Sequence, residues 1–266
     1  MTAIAREMRA SYAFVERNWY LTKRYWGWEI AWLIYSIASA LSVTLIGRSL
    51  GNDRLLLLLV VGAIFWNFLS LVFEFIAQTI QWERWEGTLE YTFMAPVRRY
   101  TQLFGSAAYA ILYGAIHTTI LLIVLALFFN IDLSHANFLT AIVFILLGSL
   151  SFMGIGIAAA ILPMMYVERG AQMVFVIQAL LLLISGVYYP ISVLPGWMQV
   201  VAHFSPATYV LDAVRAGLID GAPVSMLVHD IWPLVLMGVV LIPLGIWIFG
   251  LAERFAKRTG KLKRVG

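Results

Sequence analysis

Long apolar runs separated by short polar stretches dominate the chain. A helix needs roughly 20 mostly apolar residues to cross the hydrocarbon core of a bilayer. Six runs reach or approach that length: Trp26–Gly47, Leu55–Ile80, Leu103–Phe129, Phe138–Leu162, Gln172–Val187 with its continuation, and Ile231–Ala252. The fifth is short because Tyr188, Tyr189 and Pro190 interrupt it. None alternates with period two over about ten residues, as a barrel strand would. Backbone groups in lipid must be satisfied within their own segment, so these runs read as helices. The pattern therefore predicts an all-α integral membrane protein with six transmembrane helices, forming one domain over residues 1–266.

The polar stretches carry patterns of their own. In the N-terminal segment, 1–25, Met8, Tyr12, Val15 and Trp19 recur at helical spacing and share one face, with Arg6, Arg9, Glu16, Arg17 and Arg24 on the sides and back. This predicts an amphipathic helix lying in the membrane interface. Trp19, Tyr20, Tyr25, Trp26 and Trp28 add an aromatic belt just before the first span. The second stretch, QWERWEGTLEYTFMAPVRR (Gln81–Arg99), follows the second span and is charged and aromatic. It reads as one helix from Gln81 to about Met94, with Gly87 its only weak helix former and Pro96 its stop. A helix that short and charged cannot span. Over 82–96 it is expected to lie on the membrane face and to expose Glu83, Arg84, Glu86 and Glu90 to a partner. The third stretch, 187–222, is broken by Pro190, Pro195 and Pro206. It predicts one short helix from Pro195-Gly196-Trp197 through His203. A second is predicted through Leu218, with Ser205 as N-cap and Pro206 in the first turn. Its apolar character suits a re-entrant hairpin dipping into the outer leaflet, where non-helical backbone is buried in protein or faces water.

Composition agrees with the span pattern. The 266 residues are 62% hydrophobic and 12% charged, against roughly 45–50% and about 25% for ordinary globular domains. Charge orients the chain. Of its 18 Lys and Arg residues, fifteen fall in the N-terminal segment, the Gln81–Arg99 stretch, Arg169 and the tail 253–266, and three (Arg48, Arg54, Arg215) on the other side. The positive-inside rule makes the first side cytoplasmic, with both termini there. Met1–Arg24 lacks a short apolar core with a cleavage site, so no removable leader is expected. The basic tail is read as pairing with anionic lipid headgroups rather than nucleic acid. The expected location is a multi-pass place in the cell membrane.

Candidate chemistry is sparse. With no cysteine there is no disulfide and no cysteine-ligated metal. His117, His135, His203 and His229 match no metal-ligand spacing, so no metal site is expected. No metalloprotease, nucleophile-elbow or phosphate-loop motif occurs, and catalysis within the chain is not expected. Polar residues at or inside spans are Glu29, Asn67, Glu74 and His117. Glu29 is close enough to the cytoplasmic end to reach the interface. Glu74 reads equally as a structural partner and as a polar point on a translocation path. Asn67 and His117, also possible path residues, read first as interhelical hydrogen-bonding groups. In the fourth span Gly154 and Ala158 form a small-xxx-small pair that predicts close helix packing within the subunit.

Two segments carry a family resemblance. The pattern E-R-x-x-G-T-L-E-x-x-x-x-x-P (Glu83, Arg84, Gly87, Thr88, Leu89, Glu90, Pro96) resembles the coupling-helix region of ABC-2 type exporter permeases. Tyr189-Pro190, Leu194-Pro195, Ser205-Pro206-x-Thr208-Tyr209, Asp212 and Arg215 resemble that family's re-entrant region before the last span. The chain looks closer to the drug-resistance and nodulation-factor exporter branch than to the polysaccharide branch. The resemblance implies a permease subunit that works as one of a pair of identical copies, powered by separate ATP-binding subunits that carry the ATP and Mg. It implies that Glu83, Arg84, Glu86, Gly87, Thr88 and Glu90 meet that subunit. It also implies that Tyr188, Tyr189, Pro190, Pro195, Trp197, Pro206, Tyr209, Asp212 and Arg215 form an outer gate. A hydrophobic or amphipathic cargo (drug, lipid or glycolipid) is the first expectation and a lipid-linked polysaccharide the second. A proton-coupled carrier would need an inverted repeat and more intramembrane carboxylates. A membrane-embedded enzyme would need polar residues clustered at one face, and none converge in sequence.

Overall fold

The computed structural model describes residues 3–95, 97–260 and 262. Pro96, Lys261, Lys263 and Arg264, which the reading above uses as a helix stop and as part of the basic tail, lie outside the described residues. The helices are α1 (Ala3–Arg24), α2 (Trp26–Ser49), α3 (Asp53–Glu86), α4 (Leu89–Met94), α5 (Arg99–Phe129), α6 (Phe138–Ala159), α7 (Ile161–Met165), α8 (Gly170–Ile184), α9 (Gly196–Ala202), α10 (Pro206–Leu218) and α11 (Val228–Arg258). Among the described residues there is no strand. The all-α membrane architecture holds.

Among the described residues, five helical stretches are long and apolar enough to cross a membrane: α2, α3, α5, α6 with α7, and α11 with the 3-10 turn before it. The fifth expected run, Gln172–Val187, already short in the sequence, forms the shorter apolar helix α8. Its 15 residues rise roughly 22 Å, less than the ~30 Å core on their own. The helix ends at Ser185, and Gly186 follows at φ 65°. The carbonyls beyond it are taken from outside: Arg215 on α10 donates to Val187 O at 2.8 Å and to Gly186 O at 3.4 Å.

Helix starts follow local chemistry. The Asn52 side chain accepts from Leu55 N at 3.0 Å to open α3, and Asn137 accepts from Thr140 N at 3.1 Å to open α6, satisfying backbone donors that have no partner in the first turn. The helix predicted from Pro195-Gly196-Trp197 through His203 forms over Gly196–Ala202, and the one predicted through Leu218 forms over Pro206–Leu218. Pro206 takes the first helical turn, but Ser205 makes no side-chain cap. Its hydroxyl lies 3.0 Å from that of Ser185, so it ties α10 to the end of α8 instead.

The core centres on α3, where Phe65, Leu69, Val72, Phe73 and Ile76 are fully buried. It packs against α2, α5, α6 and α8. On its far side α6 packs against α11. There Gly154 lies so close that a Cβ would sit 2.5 Å from the Leu241 carbonyl carbon, and one on Gly245 would sit 2.4 Å from Gly154 O. Only glycine at this crossing lets the two backbones approach. The predicted close packing at Gly154 is therefore within the chain.

The Gln81–Met94 stretch also differs from expectation. It is not one helix. The second span continues without a break to Glu86, so α3 is a 34-residue rod, roughly 51 Å long. Gly87 ends it at φ 71°. Gly87 N bonds Arg84 O at 3.3 Å and Thr88 N bonds Glu83 O at 2.9 Å, the Schellman pair of a glycine-terminated helix. The six-residue α4 follows. A left-handed stop outweighs the helix propensity of the residues around it.

Candidate functional site

Both described chain ends gather at one end of the bundle, with the α3–α4 junction between them. There Glu83 is fully buried and paired with Arg17 of α1. Gln102 of α5 donates to both Glu83 carboxylate oxygens, at 3.1 and 3.2 Å. Arg84 is buried too and donates to Leu262 O at 2.7 Å. The expectation that both residues point outward is therefore corrected: tertiary partners far along the chain turn them inward. Glu86 and Glu90 are exposed, beside exposed Trp85, Tyr91 and Met94. Gly87 and Thr88 are half-buried.

A second polar tie lies at the other end of α4. Arg99 donates to Thr92 O at 2.9 Å and to Phe93 O, and its guanidinium stacks 4.1 Å above the Phe93 ring. It also meets Glu253 of α11 at 3.1 Å, and Lys257 holds the same carboxylate at 2.6 Å. Helix α1 joins through Ser11, which donates to Thr101 O at 3.1 Å, and through Thr22, which accepts from the Tyr109 hydroxyl at 2.7 Å. Its Met8, Tyr12 and Trp19 stay exposed on the opposite face. That is the apolar stripe an interfacial helix needs.

Two cavities lie along α3. The one nearer the chain ends has a volume of about 350 Å³ and is walled by α1, α2, α3 and α5, with Phe175 of α8. The other, about 380 Å³, lies between α2, α3 and α8 and reaches Tyr188. They meet at Trp32, Leu71, Glu74 and Phe175. Glu74 is 6% exposed and accepts a hydrogen bond from Gln78 one turn along the same helix. Asn67 lines the second cavity and accepts weakly from Thr118 Oγ1 at 3.4 Å. His117 lines neither: it is buried, 4.2 Å from the Tyr113 ring and 3.8 Å from a Glu29 oxygen. Glu29 does not simply reach outward, because it is half-buried and accepts from the Tyr113 hydroxyl.

At the opposite end of the bundle, the hairpin residues divide by exposure. Tyr188, Tyr189 and Tyr209 are half-buried, Pro206 is buried, and Pro190, Pro195 and Asp212 are exposed. Trp197 is 70% exposed and, with Val193, Val200 and Phe204, gives the hairpin an apolar outer face. Arg215 lies inward on the two carbonyls described above. Burial pulls its pKa below the usual arginine value, and Asp212, 4.0 Å away, opposes that shift.

Residues 9–219, from α1 to the end of α10, match the family described as ABC-2 type transporter. The chain belongs to the ABC-2 type transporter family. Two relatives of this ABC-2 protein illustrate the likeness. The probable multidrug ABC transporter permease YbhR of Escherichia coli strain K12 is 23% identical over 155 residues, covering 58% of this chain and 42% of the relative. ABC transporter G family member 20 of Dictyostelium discoideum is 27% identical over 151 residues, covering 56% of this chain and 20% of the relative. The chain thus matches less than half the length of either relative. Within the ABC-2 fold the residues that sequence reasoning missed are the distant partners Arg17, Arg99, Gln102 and Glu253, and the cavity rings Trp28, Trp32 and Phe175. The rings left one signal: Trp28, Trp32, Ser36 and Ser39 recur at helical spacing along α2 and all line a cavity.

Proposed function

We propose that this chain is the permease subunit of an ATP-driven exporter. It works as a pair of identical copies with two separate ATP-binding subunits, which hold the ATP and Mg. Both termini face the cytoplasm, and the cargo is a hydrophobic or amphipathic molecule such as a drug, lipid or glycolipid. The observation that carries this reading is the unbroken rod of α3. It joins an exposed, acidic and aromatic surface (Trp85, Glu86) to the cavities at Glu74 without a hinge. A push at one end of a continuous helix moves the other end, whereas a separate surface helix would need a joint.

The contact with the ATP-binding subunit is accordingly refined. Glu86 and Glu90, on either side of the Gly87–Thr88 turn, make it, with Trp85, Tyr91 and Met94 supplying apolar anchors of the kind that dominate interfaces. Glu83 and Arg84 position the rod from behind. The hairpin 187–222 forms the outer gate, with Arg215 fixing it to the end of α8. The apolar, aromatic cavity walls favour a lipid-like cargo over a glycan.

The test is co-purification of the chain with its ATP-binding subunit, followed by ATPase and transport assays. The double substitution Glu86→Arg with Glu90→Arg is expected to lower complex recovery or transport per ATP by about tenfold. Normal recovery and normal transport in that variant would remove Glu86 and Glu90 from the contact.

A further inference from the structure

The cavity nearer the chain ends has a chemistry that exporter function alone does not require. Trp28, Trp32, Phe75 and Trp82 line it, together with Glu29 and Glu74. Neither carboxylate is paired with a lysine or arginine among the described residues. Glu74 is met by the Gln78 amide, and Glu29 by the Tyr113 hydroxyl, with His117 at 3.8 Å. Among the described residues Arg17 is the lysine or arginine lining the space, and it is paired with Glu83, which does not line the cavity. A third carboxylate, Glu86, stands at the exposed margin.

An independent observation points the same way. Asn18 also lines this cavity, is only 4% exposed, and its side-chain nitrogen has no hydrogen-bond partner. A buried donor left unsatisfied costs free energy that a ligand acceptor recovers. Carboxylates without a cation inside an apolar wall are costly in the same way. Aromatic faces attract cations, most strongly where water is excluded. A space of about 350 Å³ also falls within the range of sites that enclose a small molecule.

We propose that this cavity binds an amphipathic organic cation. The cationic centre sits between Glu29 and Glu74 against the Trp32 face. The apolar body lies along Phe75 and Trp82, and Asn18 donates to an oxygen acceptor where the ligand has one. The proposal rests on the permease reading only for the statement that the bound cation is cargo; the site itself needs no ATP-binding subunit.

The test uses the purified full chain alone, in nanodiscs of neutral lipid, with tetraphenylphosphonium as probe. Tetraphenylborate has the same shape and the opposite charge, so the two separate charge recognition from greasiness. Equilibrium dialysis corrected for empty nanodiscs is expected to show saturable tetraphenylphosphonium binding. Tetraphenylborate should bind at least about tenfold more weakly, as should tetraphenylphosphonium to Glu74→Gln and to Glu29→Gln. Asp132→Asn, on the exposed loop between α5 and α6, should bind as the parent does. If Glu74→Gln does not fold, Glu29→Gln carries the comparison. Equal binding of the two probes overturns the proposal, as does unchanged affinity in a folded carboxylate variant. Saturable binding without any effect of the probe on ATPase or transport by the assembled complex would keep the site and overturn its reading as a cargo site.

Discussion

Glu83 and Glu74 lie on the same helix and both are more than nine-tenths buried. Nine residues separate them, about two and a half helical turns, so they leave α3 on opposite sides. Their surroundings are also opposite. Glu83 is enclosed by Arg17 of α1 and Gln102 of α5. Glu74 has one neutral partner from its own helix and faces a cavity. A buried carboxylate with matched partners locks elements together. One without them is a stored cost that persists where function uses it. The region around Glu83 therefore reads as a joint, and the region around Glu74 as a receptor.

The largest effect is expected at the joint. Arg17→Met leaves Glu83 buried without its cation and should lower the unfolding free energy by about 3 kcal/mol. Replacing both partners, as Arg17→Met with Glu83→Leu, removes the uncompensated charge and should cost less than Arg17→Met alone. Unfolding titrations of Arg17→Met, Glu83→Leu and the double variant in detergent give the coupling energy. Simple additivity of the two single effects would mean that the pair does not hold α1 to α3.

A smaller effect is expected at Glu253, where the joint extends to α11. Glu253→Gln weakens charge-assisted bonds to Arg99 and Lys257 while leaving Arg99 on the carbonyls of Thr92 and Phe93. The expected loss is about 1–2 kcal/mol. Amide hydrogen exchange should quicken in α4 and the end of α11 but not in α8. Unchanged exchange in α4 would show that Arg99 fixes it without help from the last helix.

The same contrast explains what the chain alone revealed. Periodicity and length were enough for α2, α3, α5, α6 and α11, because each span satisfies its own backbone and declares itself by apolar length. Proline spacing was enough for α9 and α10. Pairings were not legible: Arg17 and Glu83 are 66 residues apart, and Arg99 and Glu253 are 154 apart. Nothing in one sequence says which charge will meet which. The burial of Glu83 and Arg84 followed from those pairings. The end of α8 was half legible. Tyr188, Tyr189 and Pro190 predicted a break, but the early stop depends on Arg215 taking carbonyls 28 and 29 positions away. Gly87 was visible and undervalued, since a glycine amid good helix formers reads as a weak link until its positive φ is seen. For the cavity, Glu74 and Asn67 were legible as polar residues in an apolar run, whereas its rings left only the helical spacing of Trp28 and Trp32 with Ser36 and Ser39, a pattern lipid-facing aromatics share.

The smallest effect on stability is expected at Glu74, and it is the sharpest measure of the contrast. Glu74→Gln keeps the side-chain length and a carbonyl that can still accept from Gln78. No lysine or arginine partner is lost, because none is paired with Glu74 among the described residues. Stability without ligand should change by no more than about 0.5 kcal/mol, with a gain as acceptable as a loss. Glu83→Gln removes one member of a buried ion pair and should be clearly destabilised in the same titration. If Glu74→Gln falls as far as Glu83→Gln, then Glu74 is structural and the two regions do not differ in kind. If Glu74→Gln is as stable as the parent but binds tetraphenylphosphonium less tightly, the carboxylate serves the ligand rather than the fold.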